Sequence, residues 1–127
     1  MSLRQEEQNG KIISREVRGC IVLSLNGACD DACADELGCT VDAMVESGHM
    51  RLILDLSRTK YVESSGFRII LNRLTRLHEL GGQLVVTGLR GAVGRGFKLL
   101  KLDMFVPVAG DVTSAVRLLV EPERKAS

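Results

Sequence analysis

Residues 52–88 read LILDLSRTKYVESSGFRIILNRLTRLHELGGQLVVTG, and this segment decides the fold class. It opens with LILDL at residues 52–56, a short apolar run typical of a strand that is covered on both faces. Apolar residues then recur at helical spacing, at positions 67, 70, 71, 74 and 77. This pattern stops at Gly81-Gly82, and LVVTG at residues 84–88 predicts a second buried strand. The order strand, helix, strand predicts a right-handed crossover between two parallel strands.

The segments before this unit predict a hairpin and a further helix. KIISREV at residues 11–17 and CIVLSL at residues 20–25 flank Arg18-Gly19. A two-residue connection with glycine is typical of a β-hairpin, although arginine is an unfavourable first turn residue. Asp30 and Asp31 predict the start of a helix, because carboxylates accept hydrogen bonds from free N–H groups there and suit the helix dipole. An apolar stripe follows at helical spacing, with Ala34, Leu37, Val41, Met44 and Val45.

The segments after this unit predict two helices and a last strand. Val93, Phe97 and Leu100 indicate a third helix. FVPV at residues 105–108 predicts a short strand that Pro107 confines to a sheet edge or a strand end. Asp111 is predicted to cap a final helix, whose apolar positions are Val112, Ala115, Val116 and Leu119.

Together these elements predict the α/β fold class in one domain. The expected sheet is mixed, with about four or five strands: an N-terminal hairpin, followed by parallel βα units, with about four helices packed on it. We place the domain at residues 11–120. The polar, charged segments at residues 1–10 and 121–127 are expected to be flexible tails.

Composition narrows the class of function. The chain has 127 residues, which suits one domain, and its hydrophobic content of 45% allows a substantial, mostly aliphatic core. A net charge of +1 argues against a dedicated nucleic-acid binder, which carries a strong basic excess. No apolar run approaches the ~18–20 residues that span a bilayer. The start of the chain lacks the apolar core of a signal peptide, so we expect a cytoplasmic protein without membrane insertion.

The four cysteines are interpreted as reduced structural thiols. They are Cys20, Cys29, Cys33 and Cys39. Their spacing does not match a usual zinc pattern, and no histidine lies among them, so a metal or redox role is the less favoured alternative. We therefore expect neither a metal site nor a cofactor.

A hydrolase is one alternative for the adjacent Ser64 and Ser65, which lie between a strand and a helix. The α/β-hydrolase elbow requires G-x-S-x-G, and Val62 occupies the position of its first glycine. A serine nucleophile also needs a histidine base. His78 lies roughly 20 Å from Ser64 along the predicted helix, at 1.5 Å per residue, and His49 falls near the end of the preceding helix. Neither position suits a triad, so the sequence does not favour an enzyme.

The glycine-rich stretch GLRGAVGRGFK at residues 88–98 does not form a phosphate-binding motif. Gly91 and Gly96 have the separation of a P-loop, but Phe97 occupies the position of its lysine. The stretch is therefore interpreted as a loop leading into a glycine-weakened helix. Its basic residues suit a solvated face or a contact with an acidic partner.

The pair of serines therefore calls for another explanation. A serine at a helix start ordinarily accepts a hydrogen bond from a free backbone N–H, which stabilises the helix by ~1 kcal/mol. One cap needs only one hydroxyl, so at least one of Ser64 and Ser65 is expected to face solvent or a partner.

The stretch LILDLSRTKYVESSGFRIILNRLTRLHELGGQLVVTGLRGAV resembles the core of STAS domains, as found in bacterial anti-sigma factor antagonists. The family pattern is an apolar strand ending in D-L-S, a short loop, D-S-S-G opening a helix, and G-G before the next strand. The upstream segment LSLNGACD is similar to the family's strand-glycine segment before its first helix. The resemblance extends over residues 11–120.

The resemblance implies a protein that binds an anti-sigma factor and so releases a sigma factor. That anti-sigma factor is also a serine kinase, which phosphorylates a serine of the D-S-S-G motif and so ends the interaction. A metal-dependent serine phosphatase restores the antagonist. By position, Ser64 is the implied phosphorylation site, Ser65 the helix cap, and Gly66 a point of close backbone approach.

The implied partner-binding residues are Glu63, Ser64, Ser65, Gly66 and Arg68. Glu63 stands where the family has aspartate; its carboxylate reaches one methylene further and is a poorer local cap. An alternative within the same family is a STAS subunit of a lipid-transport or sensory complex that is not phosphorylated.

Overall fold

The computed structural model describes residues 12–121, so the predicted tail at residues 1–10 and nearly all of the one at 121–127 lie outside the described residues. The strands are β1 (Ile12–Val17), β2 (Cys20–Leu25), β3 (Gly27–Cys29), β4 (Arg51–Asp55), β5 (Thr59–Val62), β6 (Gln83–Thr87) and β7 (Val108–Ala109). The helices are α1 (Asp31–Glu46), α2 (Ser64–Glu79), α3 (Gly91–Leu99) and α4 (Val112–Val120). A 3₁₀ turn at Leu102–Met104 lies between α3 and β7.

Five strands form the main sheet in the order β1-β2-β4-β6-β7, which confirms the predicted α/β fold with a mixed sheet. Only β1 and β2 pair antiparallel, and the remaining neighbours are parallel. Leu54 belongs to the same core cluster as Leu37 of α1 and Phe97 of α3. Ile53, its neighbour in β4, packs with Ala115 of α4 in a second cluster. The central strand is thus covered on both faces, as its continuous apolar run predicts.

The predicted strand at residues 105–108 is wrong in its bounds. Phe105 follows the 3₁₀ turn, and the strand itself is the two-residue β7 at the edge of the sheet. Pro107 explains the shift, because it has no N–H to donate to a ladder. Its carbonyl oxygen accepts a hydrogen bond from the Val86 N–H at 2.9 Å, and strand pairing begins only after it.

The sequence patterns also missed a second, two-stranded sheet, in which β3 and β5 pair parallel. With three and four residues, these strands are too short to show an alternation of apolar and polar residues. They are defined by their pairing with each other. The Thr59 hydroxyl, which is buried, donates to the Leu25 carbonyl oxygen at 2.6 Å. The Gly27 N–H donates to the Arg58 carbonyl oxygen at 3.0 Å. Side-chain and backbone contacts therefore fix the small sheet to the end of β2.

The predicted helix caps at Asp30 and Asp111 are confirmed. The carboxylate of Asp30 accepts from the Cys33 N–H at 2.9 Å at the start of α1. The carboxylate of Asp111 accepts from the Ser114 N–H at 2.8 Å at the start of α4. The backbone N–H and the hydroxyl of Ser114 hold the pKa of Asp111 below its ordinary value, since both hydrogen bonds favour the charged carboxylate.

Helices α1 and α2 lie side by side on one face of the sheet and are joined by a bidentate ion pair. The Arg73 guanidinium donates from Nε and Nη2 to the two carboxylate oxygens of Asp42, each at 3.0 Å. Gly38 leaves room for this arginine, because a Cβ at that position would stand 2.8 Å from Arg73 Nη2. The pair therefore fixes how the two helices lie against each other.

Three of the four cysteines are core residues. Cys20, Cys29 and Cys33 are buried, whereas Cys39 is exposed on α1. Burial raises the pKa of the Cys20 thiol, because the thiolate would lose its hydration there.

The hairpin between β1 and β2 contains an unfavourable turn residue. Arg18 and Gly19 both have positive φ angles, 52° and 84°, as a two-residue turn that matches the strand twist requires. Glycine adopts this conformation freely, but for an L-residue with a Cβ it costs roughly 1–2 kcal/mol. Asparagine tolerates it better than arginine does.

We therefore expect Arg18→Asn to raise the free energy of unfolding by about 0.5–1 kcal/mol. Urea denaturation with an unchanged slope measures the difference. Arg18→Ala is the matched control: it removes the exposed, 3.7 Å ion pair with Glu121 but keeps the backbone cost, so it should not stabilise the protein. Equal stability of the wild type and Arg18→Asn would contradict the argument.

Candidate functional site

The two adjacent serines begin helix α2, directly after strand β5. Ser64 is the first residue of the helix and is exposed, whereas Ser65 is half-buried. The Ser65 hydroxyl donates to Asp31 Oδ1 at 2.5 Å, across to the start of α1. The Ser64 hydroxyl makes no hydrogen bond to any other residue between 12 and 121. One hydroxyl is thus held by the fold, and the other is left facing solvent.

The expected role of Ser65 as the helix cap is wrong. The helix begins one residue earlier, so the cap position belongs to Glu63, and Ser65 lies inside the first turn. From there its hydroxyl reaches the neighbouring helix instead of its own backbone. Ser65 therefore joins the starts of α1 and α2.

Glu63 occupies the cap position without capping the helix. Its backbone has φ −78° and ψ 167°, close to the φ −86° and ψ −170° of Asp30 at the start of α1. The Asp30 carboxylate accepts a backbone hydrogen bond in that conformation, but the Glu63 carboxylate does not. The expectation that glutamate is the poorer cap is confirmed, since its longer side chain places the carboxylate away from the first-turn N–H groups.

Gly66 lies beneath the serines and lets α2 approach the small sheet closely. A Cβ at this position would lie 2.5 Å from Val62 Cγ1 and 3.1 Å from the Cys29 sulfur. The Glu63 N–H donates to the Cys29 carbonyl oxygen at 3.0 Å, which fixes the chain just before the helix. The close approach expected at Gly66 is thus a contact within the protein, against β3 and β5.

Ser64 borders an open depression of about 730 Å³ between the starts of α1 and α2. Its lining residues are Asp31, Asp35, Val62, Glu63, Ser64, Ser65 and Arg68. Four of the five predicted partner-binding residues, Glu63, Ser64, Ser65 and Arg68, meet at this surface, and Gly66 supports it from below. The described part of this lining carries three carboxylates and one guanidinium, so it is mainly acidic around Ser64.

The sequence patterns did not predict that Asp31 and Asp35 belong to the site. The sequence pattern places Asp31 only at a helix start and gives no signal at Asp35. The signal that could have found them is the pairing of the strands that precede the two helices. Because β3 and β5 are parallel neighbours, α1 and α2 begin at the same edge, and the side chains of their first turns meet.

The chemistry of the depression follows from the charged groups that line it. Among the lining residues that the structure describes, the titratable groups are carboxylates and Arg68, and none is an imidazole that could act as a base for Ser64. His78 lies in the last turn of α2, at the far end of the helix that Ser64 begins.

Within residues 12–121, no three metal-binding side chains converge to hold an ion. In the same residues, no helix has the length and apolar composition needed to cross a bilayer.

Comparisons with known proteins agree with this architecture. The STAS domain family model matches residues 11–115. BtrV from Bordetella bronchiseptica, whose name places it among the anti-sigma factor antagonists, is 30% identical over 105 residues, which cover 83% of this chain and 90% of BtrV.

Two solved structures show the same fold. An anti-sigma factor antagonist from Mycobacterium paratuberculosis superposes with a TM-score of 0.78 at 23% identity, covering 85% of this chain and 92% of the other. SpoIIAA from Bacillus, in its phosphorylated form, superposes with a TM-score of 0.67 at 17% identity, covering 84% of this chain and 98% of the other.

The packing around Gly66 leads to a stability prediction. Gly66→Ala should lower the free energy of unfolding by about 1–2 kcal/mol, because overpacking against Val62 and Cys29 outweighs the roughly 1 kcal/mol that alanine gains over glycine in a helix. Gly94→Ala in α3 is the control. The three atoms nearest to its Cβ would all belong to Leu89, at 3.5 Å or more, so helix propensity should stabilise that variant. Urea denaturation of both variants measures the contrast, and a stabilised Gly66→Ala protein would contradict the packing argument.

The missing cap leads to a second prediction. Glu63→Asp should raise the free energy of unfolding by about 0.5–1 kcal/mol, because aspartate caps α1 in nearly the same backbone conformation. The reverse change, Asp30→Glu, should lower it by about 1 kcal/mol through loss of the hydrogen bond to the Cys33 N–H. Thermal or urea unfolding measures both, and two variants that shift stability in the same direction would contradict the explanation.

Proposed function

The chain belongs to the STAS domain family, and we propose that it is an anti-sigma factor antagonist. In this proposal it binds an anti-sigma factor through the surface around Ser64 and thereby releases a sigma factor. The similarity to BtrV over most of both chains supports this assignment, as does the shared fold of the antagonist from Mycobacterium paratuberculosis. The protein acts by binding, in the cytoplasm, and not as an enzyme.

We further propose that the anti-sigma factor is a serine kinase that phosphorylates Ser64, and that a metal-dependent serine phosphatase removes the phosphate. The difference between the two hydroxyls carries this proposal. Ser64 is exposed and makes no hydrogen bond within residues 12–121, whereas Asp31 holds the hydroxyl of Ser65. A kinase that approaches the depression therefore meets one available hydroxyl. The phosphorylated form of SpoIIAA supports such a modification on this fold.

The start of α2 is a place where the fold tolerates a phosphate. Phosphorylation adds about −1.5 to −2 charges at pH 7. The Gly66 N–H donates to the Glu63 carbonyl oxygen at 2.8 Å, but the Glu63 side chain caps no N–H group. The N–H groups of Ser64 and Ser65 and the positive end of the helix dipole can therefore face that charge. The modification should therefore leave the fold intact and alter only the exposed surface.

The effect on a docked partner is different. Ser64 must approach the γ-phosphate of ATP for transfer. After transfer, its new phosphate lies close to the phosphates of ADP and to the carboxylate of the adjacent Glu63, and all of these groups are negatively charged. Burying a near-dianion there without matching cations costs several kcal/mol. Since each ~1.4 kcal/mol is a tenfold change in affinity, the phosphorylated protein should dissociate from its kinase.

The proposal is tested with the anti-sigma factor kinase of the source cell and Mg-ATP. Mass spectrometry should find one phosphate, on Ser64, in the wild type and in Ser65→Ala, and none in Ser64→Ala. Titration calorimetry should show that Ser64→Ala binds the kinase like the unmodified wild type. Ser64→Asp should bind at least about tenfold more weakly, because a charge replaces the hydroxyl at the contact.

Phosphate on Ser65 instead of Ser64, or equal affinities of Ser64→Ala and Ser64→Asp, would refute the switch. Purification of the native complex distinguishes the alternative within the family. A transporter ATPase that copurifies with unmodified Ser64, in place of a kinase, would indicate a structural subunit of a transport complex.

A further inference from the structure

Within residues 12–121, Arg68 is the one cationic side chain that lines the depression beside Ser64. It follows Ser64 by four residues on α2, so the two side chains lie on the same face of the helix, about 5–6 Å apart at Cβ. Arg68 is exposed, and within residues 12–121 it makes no ion pair. Arg73, on the same helix, is instead held by Asp42.

We propose that Arg68 binds the phosphate of phosphorylated Ser64 within the same helix. The inference rests on the proposed function, because it requires a phosphate on Ser64. A guanidinium presents parallel N–H donors that match two phosphate oxygens, and such charge-assisted pairs are stronger than neutral hydrogen bonds. The order also suits the helix, since an anion one turn before a cation is the favoured arrangement.

The carboxylates around Ser64 compete for Arg68 but do not outweigh a phosphate. Asp31 and Asp35 reach the depression from α1, and Glu63 reaches it from the start of α2. Each carries a single charge, and Asp31 already accepts a hydrogen bond from Ser65. A phosphate carries nearly twice the charge of a carboxylate and has three acceptor oxygens. It also stands among these like charges, so the nearby guanidinium relieves repulsion that it would otherwise experience.

Phosphorylation then changes the docking surface in two ways. It adds an anion at Ser64, and it holds Arg68 against the helix, where this side chain is no longer free to contact a partner. In the unmodified protein Arg68 is available to a carboxylate of the anti-sigma factor. The same arginine is thus a partner contact in one state and an internal counter-ion in the other.

The experiment uses the full chain with phosphoserine incorporated at position 64 during translation, so that no kinase is needed. Phosphorus NMR then follows the second ionisation of the phosphate. Arg68→Gln should raise the phosphate pKa by roughly 0.5–1 unit, because the guanidinium favours the dianion, whereas the carboxylates of Asp31, Asp35 and Glu63 oppose it in both proteins. Arg76→Gln is the matched control. Arg76 is exposed on the same helix, twelve residues from Ser64, roughly 18 Å along the axis, and should not change the pKa.

Thermal unfolding gives a second readout. The change in Tm on phosphorylation is measured at pH 8 in the wild type and in Arg68→Gln. The change in the wild type should be more positive by about 2 °C. An identical phosphate pKa in the wild type and Arg68→Gln would overturn the proposal, as would a shift of equal size in Arg76→Gln. These outcomes are separate from the proposed function. A kinase that does not phosphorylate Ser64 would refute that function, whereas the NMR titration would still show whether Arg68 binds a phosphate there.

Discussion

The parallel pairing of β3 with β5 is the interaction on which the site depends. One residue separates each of these strands from the helix that follows it, Asp30 before α1 and Glu63 before α2. Because the two strands are neighbours and run in the same direction, both helices begin at one edge of the molecule. The hydrogen bond from Ser65 to Asp31 then joins the two starts directly. Without this small sheet, Ser64 would have no fixed position relative to the carboxylates that surround it.

The contacts that hold the small sheet also hold the site. Thr59 fixes the start of β5 to the carbonyl oxygen of Leu25 on β2, and Gly66 places the first turn of α2 against Val62 and Cys29. The depression is therefore built on packed backbone rather than on a long loop. A surface of this kind does not need to rearrange to change its affinity. A modification at Ser64 can act through charge and bulk at the contact, while the core beneath it stays the same.

The sequence predicted what depends on local pattern and missed what depends on distant pairing. The run at residues 52–56 identified a buried strand, and Asp30 and Asp111 identified two caps, because each signal lies within a few residues. Strands β3 and β5 have three and four residues and are defined by each other. The wrong prediction that Ser65 caps α2 has the same cause, because the pairing of β3 with β5 was missing from it. A local pattern does not show that α1 and α2 begin side by side, so it assigns the Ser65 hydroxyl to its own helix.

The adjacent serines can now be distinguished by what each hydroxyl does. Ser65 contributes to the fold, because its hydrogen bond to Asp31 ties two helices together, and that engagement leaves Ser64 as the hydroxyl open to a partner. Glu63 fits the same arrangement. An aspartate in this backbone conformation caps α1, and at position 63 it would direct a carboxylate to the first-turn N–H groups of α2. Glutamate leaves the N–H groups of Ser64 and Ser65 without a side-chain cap, so helix stability is lower. In the proposed switch a phosphate on Ser64 approaches these N–H groups, and Arg68, one turn further on, is its counter-ion.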